Sequence, residues 1–183
     1  MKFSETELKG LFVINLEPFQ DERGYFSRIF CRREFMDVGI EFDFVQTNHS
    51  VTHHKGAIRG MHYQKQPDAE AKLIRCVRGA VLDFAIDLRR GSDTFLKFFG
   101  VELSEKNNNM IYIPKGFAHG FQTLEDQATL IYQHSAYYNP LSEGGIHYND
   151  PSVGIDWPLT VTDVSEKDKK HIFIENSFAG ITV

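Results

Sequence analysis

Short apolar stretches rich in β-branched and aromatic residues recur down most of the chain, and Gly, Asn, Asp and Pro punctuate the intervals between them. That pattern predicts an all-β protein, and a period of two within a stretch marks a strand with differently solvated faces. The clearest stretch is 81–88, where Leu82, Phe84, Ile86 and Leu88 alternate with Val81, Asp83, Ala85 and Asp87. The apolar set is expected to form one core face. Further strands are predicted over 11–16, 25–30, 44–49, 57–63, 72–78, 96–103, 110–113, 120–124 and 128–137. That is about the number a two-sheet jelly roll or closed barrel uses to remove exposed edges. Helix is scarce. One is predicted over 32–38, stopped by Gly39 as a left-handed cap. Another start is predicted at 165–168, with Ser165 as N-cap and Asp168 at the third helical position.

Composition narrows this picture. The chain has 183 residues, 42% of them hydrophobic, enough for one good core, so residues 1–183 are expected to form a single domain. Acidic side chains outnumber basic ones by 25 to 20. No global positive field exists to hold nucleic acid, although a few placed arginines and lysines can still grip a diphosphate. Cys31 and Cys76 are too few for a disulfide scaffold and are expected to be reduced. The amino-terminal stretch lacks the apolar core of a signal peptide, and no run approaches the ~20 apolar residues of a membrane span. A cytoplasmic protein without a membrane partner is expected.

Two of the eight histidines sit in informative settings. His119 closes Pro114-x-Gly116-x-x-His119, in which a tight turn would deliver the imidazole inward at a barrel mouth. His62 lies in Arg59-Gly60-Met61-His62-Tyr63-Gln64. The proline, glycine and histidine spacing resembles the second motif of the cupin superfamily. Metal-binding cupins also use an H-x-H pair, but Gly60 and Gln64 flank His62 at the two relevant positions. Scattered imidazoles fall short of the three or four protein ligands usual for a transition metal, so no metal or other cofactor is expected.

A narrower resemblance covers nearly the whole chain. Asp21-Glu22-Arg23-Gly24-Tyr25-Phe26, Phe44-Val45-Gln46-Thr47-Asn48-His49-Ser50 and Arg59 to Gln64 match motifs of the dTDP-4-dehydrorhamnose 3,5-epimerase family in order. Lys72 to Arg75, Ile113 to Phe121, Tyr132, Tyr137-Tyr138, Asn149-Asp150-Pro151, Asp156 to Leu159 and Ser165 to Asp168 follow. The resemblance implies a cupin-type antiparallel jelly-roll barrel with a few short helices. It also implies epimerisation at C3, C5 or both of a nucleotide-diphosphate-linked 4-keto-6-deoxyhexose, without a cofactor. A homodimer is expected as well, since strands near the amino terminus would otherwise leave an open edge.

The chemistry needs a base at a carbon beside the ketone and a positive or hydrogen-bonding group at the oxygen. His62 is the expected base, and the resemblance assigns Asp168 as the carboxylate on its other nitrogen. Lys72 would hold the enolate oxygen and Tyr132 would return a proton on the opposite face of the sugar. For the nucleotide end the resemblance points to Arg23, Phe26, Gln46, Asn48, Arg59 and His119, with Tyr138, Glu143 and Lys167 as further contacts. Strand parity puts Gln46 and Asn48 on one face, but puts Arg59 and His62 on opposite faces unless Gly60 makes a bulge. The bulge is therefore expected.

Each residue also has a plainer reading. Lys72 fits a solvated strand start, Tyr132 and Phe26 fit core, Asp168 fits a helix-start acid, and Arg23 and Arg59 fit surface ion pairs. The chain departs from the family pattern at Arg28, where a glutamate expected to touch the nucleotide is usual. It departs again at Gln133, where lysine is usual, and at Ala136. Thymidine is the first expectation, with a CDP- or GDP-linked sugar next. The competing functions are 3,4-ketoisomerisation of the same substrate class, a metal-dependent cupin enzyme, and a cupin that binds sugar without turning it over.

Overall fold

The computed structural model describes residues 1–41 and 43–183. In chain order the strands are β1 (Lys2–Glu5), β2 (Phe12–Asn15), β3 (Phe19–Asp21), β4 (Gly24–Phe26), β5 (Gln46–Thr52), β6 (Ile58–Gln64) and β7 (Lys72–Arg78). They continue with β8 (Ala80–Asp87), β9 (Phe98–Ser104), β10 (Asn109–Ile113), β11 (Phe117–Thr123), β12 (Ala128–His134) and β13 (Glu143–Gly145). Among the described residues, helix is confined to α1 (Arg32–Met36) and a 3₁₀ turn over Asp168–Lys170. Helix α1 ends near Gly39, whose φ of +79° turns the chain as expected of a glycine past a helix end.

A six-stranded sheet in the order β1-β2-β10-β7-β12-β5 packs on a five-stranded sheet in the order β13-β6-β11-β8-β9, and β3-β4 stands apart as a hairpin. Pairing within the sheets is antiparallel. The interior holds Ile74, Cys76, Ile111 and Leu130 from the first sheet against Val81, Ala85, Leu103, Phe117 and Phe121 from the second. The predicted all-β jelly roll is the observed fold.

Both sheets are also covered on their outer faces. Leu73, Met110 and Tyr112 lie against Phe35 of α1 and Ile40. Phe84, Ile86 and Leu88 lie against Ile155 and Ile181, with Trp157 and Phe178 at the edge. This corrects the reading of 81–88. The set Leu82, Phe84, Ile86 and Leu88 faces this carboxyl-terminal cover, whereas Val81, Asp83 and Ala85 face the barrel interior, so both faces are buried. Alternation revealed two faces but not the later segment that covers the outer one.

Two further corrections concern length. Predicted strand 25–30 pairs only through Phe26, because Phe30 leaves to pack on Phe35 and Phe44 at 5.1 and 5.2 Å between ring centroids. The predicted helix start at 165–168 leads only into the 3₁₀ turn Asp168–Lys170. Asp168 N–H does donate to Ser165 Oγ at 3.0 Å.

Asp87 shows how an acid is tolerated inside. Burial alone pushes its carboxyl up, but hydrogen bonds from Arg89, Ser92 and Thr94 outweigh that and bring it down to about 2. A carboxyl whose folded pKa lies below its unfolded value adds stability above the unfolded value and loses it as pH falls through the folded one. The drop from 3.8 to about 2 corresponds to about 2 kcal/mol. Asp87→Asn is expected to be less stable by that order at pH 7 in urea titrations, with the difference vanishing as pH falls from about 4 to about 2.

Candidate active site

The site begins with an irregularity in β6. His119 of β11 pairs with His62, and Phe121 with Arg59, so three steps along β6 match two along β11. The extra residue falls at Gly60–Met61, and Arg59 and His62 consequently line one cavity. Gly60 has φ +133°, and a Cβ there would meet Gly120 Cα at 2.5 Å and His119 O at 2.9 Å. The expected bulge is present, and only glycine fits its backbone.

The cavity lies between the sheets and measures about 380 Å³, within the range of roughly 300–1,000 Å³ common to small-ligand sites. Its apolar floor is shared with the core through Phe121 and Tyr132. On one wall His62, 33% exposed, donates from Nε2 to Asp168 Oδ1 at 2.7 Å. Asp168 Oδ2 accepts from Gly60 N–H at 3.2 Å, so the bulge also seats the carboxylate. Burial pushes Asp168 up, yet its bonds to His62 and Gly60 prevail and hold it below the usual carboxylate range. An ionised Asp168 can only accept, so Nε2 carries the proton and Nδ1 is left as the basic nitrogen.

The facing wall comes from β7, β12 and β5. Lys72 pairs with His134, and His134 with Gln46; two residues along, Ile74 pairs with Tyr132, and Tyr132 with Asn48. Lys72 is buried, 6% exposed. Its Nζ lies 3.2 Å from Glu70 Oε1 and donates to His62 O at 3.3 Å. It is therefore not the solvated residue of the plainer reading. Burial pushes the Tyr132 phenol far above its ordinary value, which keeps it protonated.

His119 is buried beside Tyr132, at 6.0 Å between ring centroids, and its Nε2 meets Asp83 Oδ2 at 2.8 Å. Burial drives the Asp83 carboxyl up and the His119 imidazole down, toward a neutral pair. At the rim Lys167 Nζ donates to Glu143 at 2.6 Å and Tyr138 OH donates to Glu143 at 2.9 Å.

Of the residues singled out from the sequence, His62, Asp168, Lys72, Tyr132, Asn48, Arg59, His119 and Lys167 line this cavity. Gln46, Tyr138 and Glu143 join its edge through hydrogen bonds. Arg23, Phe26 and Arg28 do not reach it within one chain. Arg23 pairs with Asp21 on the β3-β4 hairpin, Phe26 is 70% exposed there, and Arg28 donates to Glu34 of α1 at 2.8 Å. Glu70, Ser50, Asp83, His134 and His171 were missed. Parity with Asn48 in 48–50 could have flagged Ser50; no local sequence signal marks the others.

His62, Asp168 and His171 offer ligand atoms within 4.8 Å of one another, the candidate metal-holding group among the described residues. An ion there would have to displace the hydrogen bond between His62 and Asp168. A second cavity, bounded by Tyr63, Arg90, Ile146, Phe173 and Phe178, contains none of the catalytic or substrate-binding residues expected from the sequence.

Residues 5–176 match the family model for dTDP-4-dehydrorhamnose 3,5-epimerase. The chain is 42% identical over 171 residues to the dTDP-4-dehydrorhamnose 3,5-epimerase of Methanothermobacter thermautotrophicus, across 92% of this chain and 91% of the relative. The crystal structure of that enzyme from Elizabethkingia anophelis superposes with a TM-score of 0.92 at 40% identity, across 97% and 98% of the two chains. The dTDP-6-deoxy-D-glucose-3,5-epimerase of Legionella pneumophila, in complex with dTDP-4-keto-L-rhamnose, superposes at 0.91 with 39% identity across 100% and 98%. Likeness this strong, sustained along nearly the full length in both sequence and fold, makes the chain a member of the dTDP-4-dehydrorhamnose 3,5-epimerase family.

Proposed function

We propose that the protein epimerises a dTDP-linked 4-keto-6-deoxyhexose, of the type converted to dTDP-4-dehydrorhamnose, through an enolate. The observation that carries this reading is the convergence of an imidazole–carboxylate pair, an ammonium and a protonated phenol on one cavity. His62 Nδ1 takes the proton from the carbon beside the ketone. The C–H electron pair moves into the enolate, and its charge collects on the C4 oxygen near Lys72 Nζ. Tyr132 gives a proton to the other face of the carbon; its oxygen is reprotonated from solvent, and the His62 imidazolium returns its proton to solvent. C3 and C5 both flank C4, so the same groups serve either centre. Incubation with dTDP-4-dehydro-6-deoxyglucose is expected to yield a product with inverted configuration by NMR. Tyr132→Phe is expected to slow inversion more than proton removal. A product with its ketone moved to C3 would favour the ketoisomerase instead.

The active form in this reading is a homodimer. Phe19 and Phe26, 77% and 70% exposed, sit with Tyr25 and Arg23 on a hairpin that leaves its own sheets. Exposed aromatics beside an arginine are what interfaces bury, and a partner's cavity would gain a base-stacking plate and a phosphate-binding cation. Light scattering should return twice the chain mass, and Phe19→Ser with Phe26→Ser should halve it. No helix among the described residues is long and apolar enough to cross a membrane, and the free Cys31 and Cys76 suit the cytoplasm.

A further inference from the structure

Along the cavity edge runs a hydrogen-bond chain whose two ends have fixed polarity. At one end the backbone N–H of Tyr138, which can only donate, binds Gln46 Oε1 at 3.0 Å. Gln46 Nε2 donates to Asn48 Oδ1 at 3.1 Å, and Asn48 Nδ2 lies 3.2 Å from His134 Nε2. His134 Nδ1 in turn lies 2.7 Å from Glu70 Oε2. The Glu70 side chain is only 9% exposed, which pushes its carboxyl up, but the His134 bond and the Lys72 charge outweigh this and hold it below the usual range. The far end is thus a carboxylate, which can only accept.

With a pure donor at one end and a pure acceptor at the other, every link between must point the same way. Gln46 and Asn48 each accept through oxygen and donate through nitrogen. His134 accepts at Nε2 and keeps its proton on Nδ1. Turning over either amide would set donor against donor or acceptor against acceptor.

We propose that Glu70 and His134 are positioning residues that lock the donor–acceptor orientation of Asn48 and Gln46 for a nucleotide base, while Glu70 also seats the Lys72 ammonium. The proposal rests on the reading of Gln46 and Asn48 as nucleotide contacts. An unlocked amide can present either polarity to a base edge; a locked one prefers the ligand that matches it. The chain therefore supplies selectivity between a thymine imide and cytosine, which carry opposite groups at their N3 and C4 positions.

Two measurements test this independently of turnover. In ¹⁵N–¹H correlation spectra at neutral pH, His134 of the unliganded protein should have a protonated Nδ1 and a bare Nε2. By calorimetry, His134→Leu should weaken dTDP binding by about tenfold, the size of one lost hydrogen bond, and narrow the preference for dTDP over CDP. His134→Gln, whose amide can accept from Asn48 and donate to Glu70, should restore much of both at unchanged melting temperature. In turnover assays His134→Leu should raise KM, whereas Glu70→Gln should also lower kcat. A proton on His134 Nε2, or dTDP affinity and base preference unchanged in both His134→Leu and Glu70→Gln, overturns the proposal. Failure of the parent reading looks different, as an unliganded His134 with the expected tautomer in a protein that binds no nucleotide.

Discussion

His62→Ala should lower the rate of proton exchange on the sugar by about 10²–10⁴-fold, the usual worth of a positioned general base, while leaving nucleotide binding within a few-fold. The size follows from what the site retains. Asp168 would keep Gly60 N–H on Oδ2 at 3.2 Å, and although Oδ1 loses the imidazole that donated to it at 2.7 Å, the carboxylate stays one ring's depth behind the place of Nδ1. Among the described residues that line the cavity, His119 is the next imidazole on the same wall, and its Nε2 is engaged by Asp83 at 2.8 Å. Neither can take over at Nδ1 of the missing ring. His62 is partly exposed rather than core, so the fold should persist, and circular dichroism with dTDP calorimetry separates loss of chemistry from loss of structure. Asp168→Asn is the informative companion. An amide can donate as well as accept, so it loosens the tautomer and lowers the basicity of His62, giving a smaller loss.

Lys72→Met is expected to cost about 10²–10³-fold in kcat, as removal of one oxyanion donor does elsewhere. Methionine keeps the apolar stem and removes only the ammonium. That charge sits in a dry setting, between Glu70 and the backbone oxygen of His62, where it interacts more strongly than in water. Because every route to inversion passes through the enolate, Lys72→Met should depress exchange and inversion together. Tyr132→Phe, by contrast, should separate them. Single-turnover kinetics with both substitutions distinguishes an oxyanion role for Lys72 from a purely structural one. Loss of kcat without a matching fall in dTDP affinity is the expected pattern.

How much of this was legible in the chain depended on range. β7 runs from Lys72 to Arg78, as read from its residues, because a short apolar stretch closed by Gly79 carries its own boundary. The bulge at Gly60 was legible too, since parity and the shared duty of Arg59 and His62 could be reconciled only there. Pairing His62 with Asp168, 106 residues apart, needed the family resemblance; no local pattern joins them. Asp83 and Asp87 were read as the polar side of a half-buried strand, because the covering segment with Ile155, Trp157 and Ile181 lies far along the chain. Glu70 and His134 escaped notice for a related reason. Each looks ordinary until β7 and β12 are set side by side and the carboxylate finds both the imidazole and the ammonium.

The most direct trial is to hold the intact protein with dTDP-4-dehydro-6-deoxyglucose in D2O and follow the sugar by NMR. The account predicts deuterium entering the ring at C3, C5 or both as the configuration inverts. A sugar nucleotide that occupies the site, shown by saturation-transfer signals, yet keeps its original hydrogens at both carbons would contradict it.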